Sequence, residues 1–150
     1  MHGIAILSFS LLLALLSASC SPKYIGKFYD GPDLPESEVG TVIFQSRGGW
    51  FNSESVVLCK IDGIRVDMNP DKRSVDVLPG MRTIMFVYDK IKPLSSIEWT
   101  FRIEPGHKYL VGFPDQQPGS GFILWLDDLT MGKRVNDVTA SALKSFYACF

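Results

Sequence analysis

Histidine is scarce in this chain, two in 150 residues, and cysteine nearly so, at three. If residues 1–19 are removed as a leader, His107 is the only imidazole left, which excludes metal sites built from several histidines. No block of like charge exists: 15 basic and 16 acidic side chains are scattered to a formal net charge of −1. Such a chain has no extended basic face with which to neutralise a nucleic-acid backbone, and no nucleic-acid partner is expected. Nor is there an apolar run of the roughly 20 residues that a helix needs to cross a hydrocarbon core. Also missing are EF-hand spacing, a nucleophile elbow, and, in "SRGGWFN" at 46–52, the lysine and helix entry of a phosphate loop.

What is present is 46% hydrophobic residues and 21% charged ones in a length suited to one core. The most apolar stretch, 4–16, matches the central region of a secretory signal and is followed by Ser17, Ala18, Ser19 and Cys20. Narrow side chains there suit a signal peptidase. The segment "LLSASC" resembles the bacterial lipobox, which implies that Cys20 receives diacylglycerol on its sulfur, becomes the first mature residue and is acylated on its amine by a fatty acid such as palmitate. Three acyl chains would hold the protein stably, since each buried methylene contributes about 0.8 kcal/mol. By the same resemblance, Ser21 in place of aspartate implies sorting to the outer membrane, at its periplasmic face. Plain signal cleavage, giving a secreted protein without lipid, is the alternative.

Residues 20–39 follow as the lipidated cysteine and a tether, with three prolines and two glycines in 21–39 and no sustained periodicity. Tyr24, Ile25, Phe28 and Tyr29 are more apolar than a solvated spacer requires. They either lie across the domain surface or form part of a partner-binding strip.

From residue 40 to 150 the chain reads as an all-β domain. Short runs separated by glycine and proline predict strands at 41–45, 55–61, 74–78, 81–89, 95–104, 107–113 and 121–128. In "SSIEWTFRIE", Ile97, Trp99, Phe101 and Ile103 share one face while Glu98, Thr100, Arg102 and Glu104 share the other, so the first face must cover a core. About seven strands with turn residues between them predict an antiparallel β-sandwich rather than βα units. A short C-terminal helix over 136–150 is also expected, from Val138, Ala142, Leu143, Phe146 and Phe150 near helical spacing and Asn136 or Asp137 as a cap. An outer-membrane barrel is disfavoured, because these strands are short and carry charges on their outer faces.

The longest constellation is "CKIDGIRVDMNPDKRSVDVLPGMRTIMFVYD" at 59–89, in which Asp62-Gly63 and Pro79-Gly80 supply turns between strands. Its order resembles PEGA-type surface modules and small bacterial envelope lipoproteins with transthyretin-like sandwiches. Asp62, Gly63, Pro79 and Gly80 match turn-formers in those families, and "EPGHKYLVGF" and "DDLTMGKRV" resemble their closing strand pair. The resemblance implies an envelope-facing, non-enzymatic module.

Candidate chemistry is thin. His107 could serve a periplasmic hydrolase with a serine and an aspartate, yet it begins a strand after a Pro-Gly turn, where a structural role is the simpler reading. Asp127 and Asp128, with Glu104 and Asp62, could offer oxygen ligands to calcium, but adjacent strand residues point to opposite faces, and no metal is expected. Trp50 and Phe51 in a glycine loop either pack in the core or grip a partner. With Cys20 assigned to lipid, Cys59 and Cys149 remain as a pair; in an oxidising compartment a bridge closing a loop of about 90 residues would contribute roughly 4 kcal/mol. A buried strand thiol and a loose terminal one are the competing reading.

The expectation is therefore a lipid-anchored β-sandwich without cofactor, acting as a binding or assembly module. Its partner would be an envelope protein or a small hydrophobic ligand.

Overall fold

The computed structural model describes residues 25–48, 54–66, 73–88, 95–115, 123–135 and 139–143. Twelve strands occur among them. They are β1 (Ile25–Phe28), β2 (Gly40–Phe44), β3 (Ser46–Arg47), β4 (Glu54–Ile61), β5 (Ile64–Arg65) and β6 (Ser74–Val77), then β7 (Gly80–Tyr88), β8 (Ser95–Ile103), β9 (Lys108–Gly112), β10 (Trp125–Asp128), β11 (Lys133–Arg134) and β12 (Thr139–Leu143). One sheet runs β1-β6-β2-β9-β10-β11 and the other β12-β8-β7-β4-β3, with β5 also paired to β4. Two layers closing on one core make a β-sandwich, as the spacing of the apolar runs predicts.

The alternating strands bury the faces that their sequences select. Trp99, Phe101 and Ile103 of β8 are buried, with Ile97 packed against them. Opposite, Ile84, Phe86 and Tyr88 of β7 are wholly inaccessible. Aromatic pairs join the layers, Phe86 meeting Phe44 at a centroid distance of 5.9 Å, Phe101 meeting Tyr109 at 5.7 Å and Tyr88 meeting Phe113 at 5.1 Å, while Phe86 also meets Trp99 of its own sheet at 5.5 Å. Tilted and edge-on rings of this kind contribute about 0.5–1.5 kcal/mol each beyond their burial.

Three expectations are corrected. First, the first sheet of the sandwich is mixed rather than wholly antiparallel, with β1 parallel to β6 and β2 parallel to β9, while the described pairings of the second are all antiparallel. Second, the C-terminal helix gives way over Thr139–Leu143 to β12, which pairs with the edge of β8; the ladder satisfies backbone groups that β8 would otherwise leave open. The rest of that helix lies outside the described residues. Third, part of the stretch read as tether is structural: β1 adds a strand to the first sheet, and Phe28 packs against the core.

The turn chemistry is as expected. Ile61 pairs with Ile64 across the two-residue turn Asp62-Gly63, whose φ angles of 50° and 77° are the positive values that such a hairpin demands. Gly80, at φ 124°, lets the chain pass from β6 into β7. β4 carries one irregularity, a register shift between Leu58 and Lys60 opposite β7 that leaves Cys59 as the extra residue of a bulge.

Candidate functional site: a turn-built apolar rim and a buried carboxylate

The strand registers place several turns at one end of the sandwich. Val77 lies opposite Gly40, Thr41 beside Lys108, Tyr109 opposite Asp128 and Gly80 opposite Ile103. Hence the turns at 62–63, 78–79, 104–107 and 129–132 share that end. Five of the six large apolar side chains exposed among the described residues are there: Ile64, Leu78, Met81, Leu129 and Met131. The sixth, Ile123, precedes β10 at the opposite end. Single exposed apolar residues are ordinary on any surface; here five stand at one end of the sandwich.

Polar contacts hold the rim in shape. Asp62 accepts a hydrogen bond from Arg82 Nη1 at 2.8 Å and another from the backbone N–H of Thr83 at 2.9 Å, while Arg82 Nε donates to the Leu78 carbonyl at 3.0 Å. That network ties the Ile64, Leu78 and Met81 turns together. On the other side, Asp128 is 5% exposed. Its Oδ1 accepts the N–H groups of Thr130 and Met131, both at 3.0 Å, and its Oδ2 lies 2.7 Å from His107 Nδ1. Lys108 N–H donates to Thr130 Oγ1 at 2.9 Å. The turn bearing Leu129 and Met131 is thus fastened to the start of β9.

Burial pushes the Asp128 carboxyl up, but the bond to His107, the charge of that ring and the two turn N–H groups outweigh it, and the pKa ends below the ordinary carboxylate value. Tyr109, stacked on His107 with centroids 6.2 Å apart, is pushed up chiefly by desolvation and by the nearby carboxylates, against a lowering hydrogen bond from Glu104 N–H. His107 and Asp128 have the base-and-orienter arrangement of a hydrolase. Among the described residues, however, no hydroxyl is hydrogen-bonded to the other ring nitrogen.

The remaining sequence candidates are dispersed. Asp127 binds Arg134 at 2.6 Å, on the face opposite Asp128, and Asp62 and Glu104 face arginines. No cluster of three metal-ligating side chains occurs among the described residues. Tyr29 accepts the N–H of Leu34 at 3.2 Å and lies under Lys27 Nζ, a local contact rather than a free strip. Cys59 is 1% exposed in its bulge. Cys20, Tyr24, Trp50, Phe51 and Cys149 lie outside the described residues. No described helix is long and apolar enough to cross a membrane.

Sequence reasoning missed the rim because Met81, Leu129 and Met131 look like continuations of strands. The available signal was their position beside turn dipeptides, where apolar residues have no facing layer. No protein-family model, curated protein or solved structure matches this chain.

Proposed function

We propose that this protein is a lipid-anchored envelope module at the periplasmic face of the bacterial outer membrane, which docks a protein partner on its apolar rim without catalysing a reaction. The observation that carries the reading is the gathering of Ile64, Leu78, Met81, Leu129 and Met131 at one end. β1 runs toward that end, Ile25 beside Ser74 and Phe28 beside Val77, so the chain arrives from the other side. Ile25 is only five positions past Cys20, a reach of about 17 Å when extended. A lipid on Cys20 would then hold the domain near the bilayer with its rim turned away, toward proteins of the periplasm. A Cys59–Cys149 bridge belongs to the same reading, with the buried position of Cys59 in its favour.

The anchor is tested by mass spectrometry of the mature N-terminus, which is expected at Cys20 carrying diacylglycerol and an acyl group; a chain beginning at Met1, or a bare Cys20, would end it. For docking, Met81→Ser with Met131→Ser is expected to abolish partner co-isolation while the fold is retained. The His107–Asp128 contact favours one second reading, a hydrolase. That reading requires His107→Ala to abolish an activity, whereas on the docking reading the substitution acts on the partner complex only through the Leu129 and Met131 turn that this contact helps to hold.

A further inference from the structure

Ion pairs balance most charges in the turns of the rim, and the three left over are sorted by sign. Residues 29–39 leave β1 at Phe28, beside Val77, and enter β2 at Gly40, opposite the same residue. The connection therefore caps the β1-β6-β2 side of the rim. It carries Asp30, Asp33, Glu36 and Glu38, all exposed, and no basic residue. Lys27 meets Asp33 at 2.9 Å and Lys108 meets Glu36 at 3.1 Å, whereas Asp30 and Glu38 have no ion partner among the described residues. This side of the rim is negative.

The other side is built by the β10–β11 hairpin, where a groove of about 510 Å³ is lined by Asp127, Asp128, Leu129, Gly132, Lys133 and Arg134. Both carboxylates of that lining are already matched, Asp127 by Arg134 at 2.6 Å and Asp128 by His107 at 2.7 Å. Lys133 is exposed and has no ion partner among the described residues, so this side is positive. Between the two, Asp62 pairs with Arg82 at 2.8 Å and Glu104 with Arg102 at 3.9 Å. The sheet order sets β1 and β11 at opposite edges, five inter-strand spacings or about 24 Å apart. That is more than twice the screening length of about 10 Å at 0.1 M salt, so neither pole cancels the other.

We infer that the protein docked on the rim presents an apolar centre flanked by charges of opposite sign. A carboxylate-bearing segment enters the hairpin groove against Lys133 and Leu129, and a lysine- or arginine-bearing one lies over Asp30 and Glu38. The inference rests on the docking reading above and adds to it the partner's charge and orientation. Complementary poles fix register and reject wrong partners, because a partner docked in reverse sets like charges face to face.

Photo-crosslinking from Met131 of the full chain in the intact envelope tests this, with charge reversals read by the yield of captured protein. Lys133→Glu is expected to lower the yield at least about fivefold, and Asp30→Lys combined with Glu38→Lys to do the same. Arg73→Glu, exposed just before β6 at the opposite end, is the control expected to leave the yield unchanged. Either pole variant capturing as well as the unaltered chain, or an equal loss with Arg73→Glu, overturns the inference and leaves the docking reading standing. No protein captured by the unaltered chain removes the docking reading and the inference with it. Where a reversal lowers the melting temperature of the purified variant, its neutral form replaces it, Lys133→Gln or Asp30→Asn with Glu38→Gln. A loss of at least about twofold is then expected, and an undiminished yield overturns the inference.

Discussion

His107 Nδ1 donates to Asp128 Oδ2 across 2.7 Å, joining the residue just before β9 to the last residue of β10. The other carboxylate oxygen caps the turn that follows, so one buried side chain fixes both a strand pair and half of the apolar rim.

Asp128→Ala therefore leaves the two turn N–H groups and an imidazole without their acceptor. A loss of about 3 kcal/mol is expected, given that hydrogen bonds to a charged group are worth about 1.5–3 kcal/mol each. Urea unfolding with the slope m held constant measures it.

The same carboxylate sets an acid limit. Its pKa is lower folded than unfolded, so the unfolded chain binds more protons between the two values, and stability rises with pH through that window. The contribution is complete above the unfolded carboxyl pKa and is lost as pH falls through the folded one. Thermal melts of Asp128→Asn should show a shallower acid limb than those of the unaltered protein.

Asp62→Ala removes acceptors from Arg82 and from the Thr83 N–H and frees the β4–β5 turn. Because that carboxylate is partly exposed, the cost is smaller, about 1–2 kcal/mol. Chemical denaturation should register it, with Met81→Ser as a surface comparison that shifts stability by no more than about 0.5 kcal/mol.

Phe86→Ala opens a cavity between Phe44 and Trp99 at the centre of the sandwich. Its expected cost of about 3–5 kcal/mol is a large fraction of the total stability of a domain this size. A fall of the unfolding midpoint to near-denaturing conditions, followed by tryptophan fluorescence, would register it.

Gly112→Ala places a methyl group where the Trp125 ring lies over the backbone of β9. The ring must move, and its stacking under the Arg134 guanidinium at 5.0 Å goes with it. A red-shifted tryptophan emission in the folded protein is the expected signature.

Period-2 alternation made the long strands legible: Ile97 to Ile103 pack as their spacing demands, and Asp62-Gly63 turns as its dipeptide demands. Short elements were not legible. "IGKF" has too few residues and a central glycine, and it becomes a strand only because β6, distant in sequence, offers an edge. Likewise Thr139–Leu143 carries part of a helical spacing that pairing with β8 overrides. Parallel pairing of β2 with β9 leaves no local trace, since it is set by where a long connection returns. The site was less visible still. His107 and Asp128 are 21 positions apart and meet through the β9–β10 register, and the rim depends on which strand ends the turns share.

The central claim, a rim that docks a protein, is tested most directly by site-specific photo-crosslinking in the intact envelope from Met81, Met131 and Ile123. Met81 and Met131 stand on the rim, and Ile123 is equally apolar and exposed at the opposite end. We expect one and the same protein to be captured from Met81 and Met131, not from Ile123, and lost when Leu129→Ser is added. Equal capture from all three positions, or capture of lipid alone, would contradict the account.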